Sequence, residues 1–258
     1  MTEKPSQIAP PAFLDVGERR IAWRGRPGKA PGVVWFGGFK SDMLATKASR
    51  LDRWARAAGR AFMRFDYSGH GESSRKFDDG TIGQWLEESL AVIRSHTEGP
   101  QILVGSSMGG WIALLAAREL ARAGEAQRLA GLVLIAPAVD FTQALMWERM
   151  SPEVQQEILD QGRWLRPSDY SPEPYAITRA LIEEGRDHLL LGGMIRAHCP
   201  VHILQGMEDP DVPWRHAMEL VQRLAHDPVS VTMIRDGDHR LSREEDIERL
   251  IRAVETIA

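Results

Sequence analysis

The chain has a single cysteine, Cys199, in 258 residues, so no internal disulfide can form and the fold must rest on packing and hydrogen bonding. No apolar run approaches the ~20 residues of a membrane-spanning helix. The first eleven residues are polar and proline-rich, neither apolar enough for export nor Arg-rich and amphipathic. Together these features predict a soluble protein of a reducing compartment, with the cytoplasm as the expected location. A preponderance of one charge is lacking too: 32 Lys and Arg stand against 36 Asp and Glu, a formal net charge of −4 with the signs interspersed, which offers no basic stripe for nucleic acid. None of the eight histidines pairs with a second His, Cys or carboxylate at a metal-ligand spacing on a recognisable helix. There is no internal repeat, and no Gly-rich phosphate loop apart from the turn described next, so no cofactor and no metal are implied.

What the chain does have is Gln101-Ile102-Leu103-Val104-Gly105-Ser106-Ser107-Met108-Gly109-Gly110-Trp111, an apolar strand that runs through G-x-S-x-G into a helical pattern. A serine that is to attack a carbonyl must stand clear of the backbone on a tight strand-to-helix turn, and such a turn leaves no room for Cβ atoms two residues before and after it. This is the nucleophile elbow of an α/β-hydrolase, with Ser107 as the nucleophile.

The elbow calls for an acid and then a histidine on loops after later strands. The apolar run Val201 to Gln205 opens into the carboxylate-rich loop Glu208-Asp209-Pro210-Asp211, where Asp209 is the chosen acid, with Glu208, Asp211 and Asp140 as its rivals. Ser230 to Ile234 empties into Asp236-Gly237-Asp238-His239, and His239 is the chosen base. The oxyanion formed during acyl transfer needs two backbone N–H donors. Met108, next to the nucleophile, supplies one, and Phe39, in the loop Gly37-Gly38-Phe39-Lys40 after the strand Val33 to Phe36, supplies the other. Two histidines receive structural readings: His70 packs its own loop, and His198 borders Cys199, which reads as a small core hydrophobe leading into a strand.

Strand patterns near 12–16, 20–25, 33–36, 61–65, 101–105, 132–136, 201–205 and 230–234, with helical patterns near 43–58, 84–96, 108–122, 214–225 and 243–256, predict an α/β-hydrolase fold. Its sheet is doubly wound, mainly parallel and eight-stranded, with an antiparallel start. The core is expected over 1–140 and 199–258. Between them, 141–198 reads as a helical lid of two or three short helices, rich in Trp and Met and lying over the C-terminal edge of the sheet, where ligands bind in open α/β sheets. Trp147, Met150 and Trp164 are its candidate substrate contacts, and Arg163 and Arg166 read as solvated surface.

Several longer pieces carry a family resemblance. They are Gly38-Phe39-Lys40-Ser41-Asp42-Met43, Arg64-Phe65-Asp66-Tyr67-Ser68-Gly69-His70-Gly71, the stretch from Gly99 to Trp111, Ala138-Val139-Asp140-Phe141, Gly206-Met207 with Asp209 and Val212-Pro213-Trp214, Asp238-His239-Arg240, and Trp164 with Pro167-Ser168 and Tyr170. On these the chain resembles the abhydrolase-domain-containing protein 10 group, palmitoyl-protein thioesterases that also hydrolyse acyl glucuronides. The resemblance implies roles for Ser107, Asp209 and His239, and a partner that is a small-molecule acyl ester or thioester, or an acylated protein. Two departures stand out. Hydrolases of this kind usually have His-Gly before the oxyanion residue, where this chain has Gly37-Gly38, and the start of the chain does not look like the targeting segment of the mitochondrial members.

The expected activity is therefore hydrolysis of carboxylic esters or thioesters with an apolar acyl group. The same residues would also serve short soluble esters or C–C bonds, and the fold could carry a silent binding site.

Overall fold

A computed structural model describes residues 9–167, 174–224 and 226–258. Eight strands form one sheet: β1 (Ala12–Val16), β2 (Arg19–Arg26), β3 (Lys29–Phe36), β4 (Arg60–Phe65), β5 (Gln101–Ser106), β6 (Leu129–Ile135), β9 (Val201–Gly206) and β10 (Val229–Ile234). Their order across the sheet is β1-β2-β4-β3-β5-β6-β9-β10. β1 pairs antiparallel with β2 and β2 with β4, whereas every pairing from β4 through β3 to β10 is parallel. The antiparallel start and the parallel remainder follow the sequence reading.

The central strands are apolar at consecutive positions because both faces of the sheet are covered. Period-two alternation then sorts their side chains between two cores. Val34, Phe36, Leu103, Leu132 and Leu134 point into one core with α2 (Ile82–His96), α3 (Met108–Arg122) and α6 (Trp214–Arg223). Val33, Trp35, Ile102, Val104, Val133 and Ile135 point into the other with α1 (Thr46–Ala57) and α7 (Glu244–Ile257). α3 is the most enclosed helix, and Trp111, Ile112 and Leu115 are wholly buried on it. Each such side chain contributes roughly 1.5–3 kcal/mol relative to exposure.

Several boundaries differ from expectation: β3 begins at Lys29 rather than 33 and β6 at Leu129 rather than 132, and two helix starts move for a local reason. α1 begins at Thr46 rather than near 43, because Met43 is drawn into the preceding loop, where its amide donates to Asp66 Oδ1 at 2.7 Å. α2 begins earlier, at Ile82, because Thr81 Oγ1 accepts from the Gln84 amide and caps it.

The stretch between β6 and β9 departs from a purely helical reading. It holds a π-helical turn (Phe141–Met146), α4 (Pro152–Gln161) and α5 (Arg179–Gly185), and also an antiparallel hairpin of β7 (Arg163–Arg166) and β8 (Tyr175–Thr178). Trp164 pairs with Ile177 across that hairpin. Ser168 and Tyr170, noted in the sequence, lie outside the described residues. Asp140 secures the far end of this stretch to the body, since its carboxylate accepts from the amides of Leu190 and Leu191 at 2.8–3.0 Å.

Candidate active site

Ser107 stands between the end of β5 and the start of α3 at φ 55° and ψ −119°, a left-handed conformation that L-residues rarely adopt. Its backbone is pinned on three sides. The amide donates to Ile135 O at 2.8 Å, and the carbonyl accepts from Gly110 at 2.9 Å and from Ala138 at 3.1 Å. The flanking glycines are needed for close approach. A Cβ on Gly105 would strike the Gly109 carbonyl, and one on Gly109 would strike the carbonyls of Phe36 and Gly37.

The loops after β9 and β10 bring two side chains to this serine. His239 Nε2 lies 3.0 Å from Ser107 Oγ, and His239 Nδ1 lies 2.8 Å from Asp209 Oδ2. The Asp209 carboxylate is fully enclosed and oriented from its other oxygen, Oδ1, which accepts from the amides of Asp211 at 2.9 Å and Val212 at 2.8 Å. Gln205, buried at the end of β9, donates to Val212 O at 3.0 Å and so braces the same turn. Of the rival acids, Asp140 holds Leu190 and Leu191, Glu208 is exposed, and Asp211 stays beside the pair, its amide donating to Asp209. Lys47 of α1 donates to the Arg240 carbonyl and ties the His239 loop to the body. Burial pushes this lysine down to about 8.

Gly38 puts the loop after β3 against the elbow: a Cβ there would sit 3.5 Å from Ser107 Cβ and 3.3 Å from Ser106 O. The loop closes as a tight turn in which Ser41 N donates to Gly38 O at 3.1 Å, leaving Phe39 and Lys40 at its tip. Phe39 is fixed by edge-to-face contacts with Phe77, Trp85, Phe141 and Tyr175, at ring-centroid distances of 4.7–6.2 Å. Met108, as the first residue of α3, has no intrahelical acceptor for its N–H and lies at the positive end of the helix.

Trp147, Met150 and Trp164 are partly buried and pack on the apolar cluster that also holds Phe39 and Met108. Trp147 also carries the Arg186 guanidinium on its face, 5.2 Å from the ring centroid. The rings that bear directly on Phe39 from this stretch are Phe141 and Tyr175 instead. Their positions gave no periodic signal, because each is brought there by an irregular turn or a short strand. Arg163 faces Asp78 at 3.6 Å with more than half of its side chain exposed.

His70 is buried as expected, and it also touches the loop after β3: its Nε2 lies 3.2 Å from Lys40 N. Cys199 is enclosed, and burial pushes its thiol up to about 12, which leaves it unionised and unreactive at neutral pH. Asp209, Asp211 and His239 are a group among the described residues with donor atoms close enough to share a metal ion, all within 4.8 Å. The acceptor capacity of Asp209 in this group is already turned to His239 and to backbone amides.

A family model for the alpha/beta hydrolase family matches residues 11–253 of the chain. The chain is similar to the palmitoyl-protein thioesterase ABHD10, mitochondrial, of Bos taurus, with 37% identity over 238 residues that make up 92% of this chain and 76% of the relative. Among solved structures, a putative hydrolase from Agrobacterium vitis S4 is 48% identical with a TM-score of 0.91, covering 96% of this chain and 97% of the other. Alpha/beta hydrolase domain-containing protein 10 from mouse is 35% identical with a TM-score of 0.87, covering 96% and 98%. These comparisons correct one expectation. The curated relatives are named mitochondrial, which overturns the cytoplasmic location read from the sequence. A single cysteine and the lack of an apolar run separate reducing from oxidising compartments, and cannot separate one reducing compartment from another.

Proposed function

The chain belongs to the alpha/beta hydrolase family, and from that membership we propose that it is a serine hydrolase cleaving carboxylic esters or thioesters that carry an apolar acyl group. The observation that carries this reading is the unbroken hydrogen-bond chain from Ser107 Oγ through both nitrogens of His239 to Asp209 Oδ2.

In the proposed reaction His239 Nε2 takes the Ser107 proton as Oγ attacks the acyl carbon. Asp209 holds the Nδ1–H tautomer and stabilises the imidazolium that forms. The N–H groups of Phe39 and Met108 receive the oxyanion, a contact worth roughly 10²–10³ in rate per donor. His239 then returns its proton to the leaving thiolate or alkoxide, and an acyl ester remains on Ser107. Water, deprotonated by the same imidazole, releases the acid and restores the serine.

An apolar acyl group is supported by the surroundings of Phe39, which are aromatic on four sides. The relatives named palmitoyl-protein thioesterases support the same class. Residues 141–198 would act as the lid over that group, with Trp147, Met150 and Trp164 among its contacts. The intact hydrogen-bond chain also speaks against a silent scaffold.

A fluorophosphonate probe tests the nucleophile. Labelling of the wild type on the peptide that contains Ser107, and none in Ser107→Ala, is the expected result. Labelling that survives this substitution would remove Ser107 from the mechanism.

A further inference from the structure

The oxyanion loop of this chain lacks a side chain at Gly37, so whatever holds its tip in place must come from elsewhere. The tip is strained: Lys40 sits at φ 58°, a conformation for which a turn ordinarily recruits glycine or asparagine. Such a residue stays put only where its surroundings over-determine it. Lys40 N–H points out of the Gly38–Ser41 turn and meets His70 Nε2 at 3.2 Å.

That contact fixes the state of the imidazole. An amide N–H can only donate, so Nε2 is the acceptor and the ring proton sits on Nδ1, where it donates to Ser68 O at 3.2 Å. The ring cannot turn away from this arrangement. Tyr67, Phe77 and Trp85 pack edge-to-face around it at 5.2–5.6 Å, and Trp85 Nε1 donates to the same Ser68 carbonyl at 3.1 Å. Burial, together with the nearby Lys40 charge, pushes His70 down to about 4, so the acceptor lone pair is present throughout the neutral range. Phe77 and Trp85 grip the Phe39 ring as well, which makes one rigid cage for both side chains.

We infer that His70 is a positioning residue of the oxyanion hole: by accepting the Lys40 N–H it fixes the Phe39–Lys40 peptide on one side of the caged Phe39 and so restricts the adjoining Gly38–Phe39 peptide, whose N–H is the proposed donor to the carbonyl attacked by Ser107. The inference rests on the role proposed above for Phe39. It assigns to the loop after β4 the bracing that a histidine at position 37 would otherwise give. The same loop holds the far end of the oxyanion segment, where Asp66 accepts from Met43 N.

Three substitutions separate acceptor from packing. His70→Phe keeps a ring in the cage and removes the acceptor. His70→Asn keeps a donor near Ser68 O and is too short to reach Lys40. His70→Gln carries its amide oxygen to the place of Nε2. Each is assayed for release of thiol from an octanoyl thioester, with Ser107→Ala in parallel and circular dichroism and Tm recorded for all. The expected result is a fall in kcat of about 10- to 100-fold for His70→Phe and His70→Asn with KM within about 3-fold, recovery to within about 5-fold in His70→Gln, and an inactive Ser107→Ala. Should His70→Phe fail to fold, His70→Asn carries the comparison. A folded acceptor-free variant with wild-type kcat, a loss confined to KM, or a His70→Gln as slow as His70→Phe would overturn the inference. Full activity in Ser107→Ala would instead overturn the underlying reading, whatever the His70 variants do.

Discussion

Ser107 pays in conformation for its position, because a residue with a Cβ at φ 55° is strained by about 1–2 kcal/mol. The strain predicts that Ser107→Gly, although inactive, is more stable than Ser107→Ala. Both lack the hydroxyl and differ only in the Cβ that the elbow disfavours. A Tm difference of about 2–4 °C in favour of glycine is expected for a chain of this size, and equal or reversed Tm values would show that the elbow is unstrained. His70 and Asp66 make the pH dependence of stability specific. His70 is held at about 4 against an ordinary 6.5, so its contribution is complete above pH 6.5 and is lost as pH falls through 4. Asp66 runs the other way. Burial, partly offset by the Glu72 and Met43 amides, holds it at about 6 against 3.8, so its contribution is complete below 3.8 and is lost as pH rises through 6. Between pH 4 and 6.5 the two oppose each other. His70→Gln leaves the Asp66 slope alone, so the stability of the wild type relative to the variant should rise with pH, by about 2 kcal/mol, between denaturant titrations at pH 4.5 and 6.5. Parallel curves would contradict the assigned state of His70. These roles were not legible in the sequence. For His70 the sequence favoured packing over a place lining the entrance and gave no sign of a bond to Lys40, which is thirty residues earlier with no local pattern to link them.

At the scale of elements, the elbow couples β3, β5 and α3 through glycine contacts. The Gly109 Cα faces the carbonyls of Phe36 and Gly37, which lead into the loop that carries Phe39. Gly109→Ala is therefore expected to push that loop off α3, costing about 1–3 kcal/mol of stability and on the order of 100-fold in kcat. Wild-type kcat in the alanine variant would show that the two elements move independently. The elements that build the site were legible because each parallel strand is a continuous apolar run ending in a distinctive loop: G-x-S-x-G after β5, Asp209 after β9, His239 after β10. The hairpin of β7 and β8 was not. Four residues, Arg163 to Arg166, are too few for period-two alternation to be counted, and the Trp and Leu among them look the same in a helix. Boundaries moved for local reasons, as when the Asp66 carboxylate drew Met43 out of α1.

Across the whole molecule, two apolar cores clamp the sheet, and the three side chains of the hydrogen-bond chain meet from loops separated by 132 and 30 positions. Chain order and loop chemistry therefore pointed to the three side chains of the candidate site that the fold brings together, whereas compartment did not follow from composition. A Ser107 nucleophile serving an apolar acyl pocket can be tested by hydrolysis of an acyl-thioester series from short to long chains by wild type and Ser107→Ala. kcat/KM is expected to rise toward medium or long chains in the wild type and to fall by several orders of magnitude at every length in the variant. Activity on the shortest chains alone would contradict the apolar pocket, and turnover that survives Ser107→Ala would contradict the nucleophile.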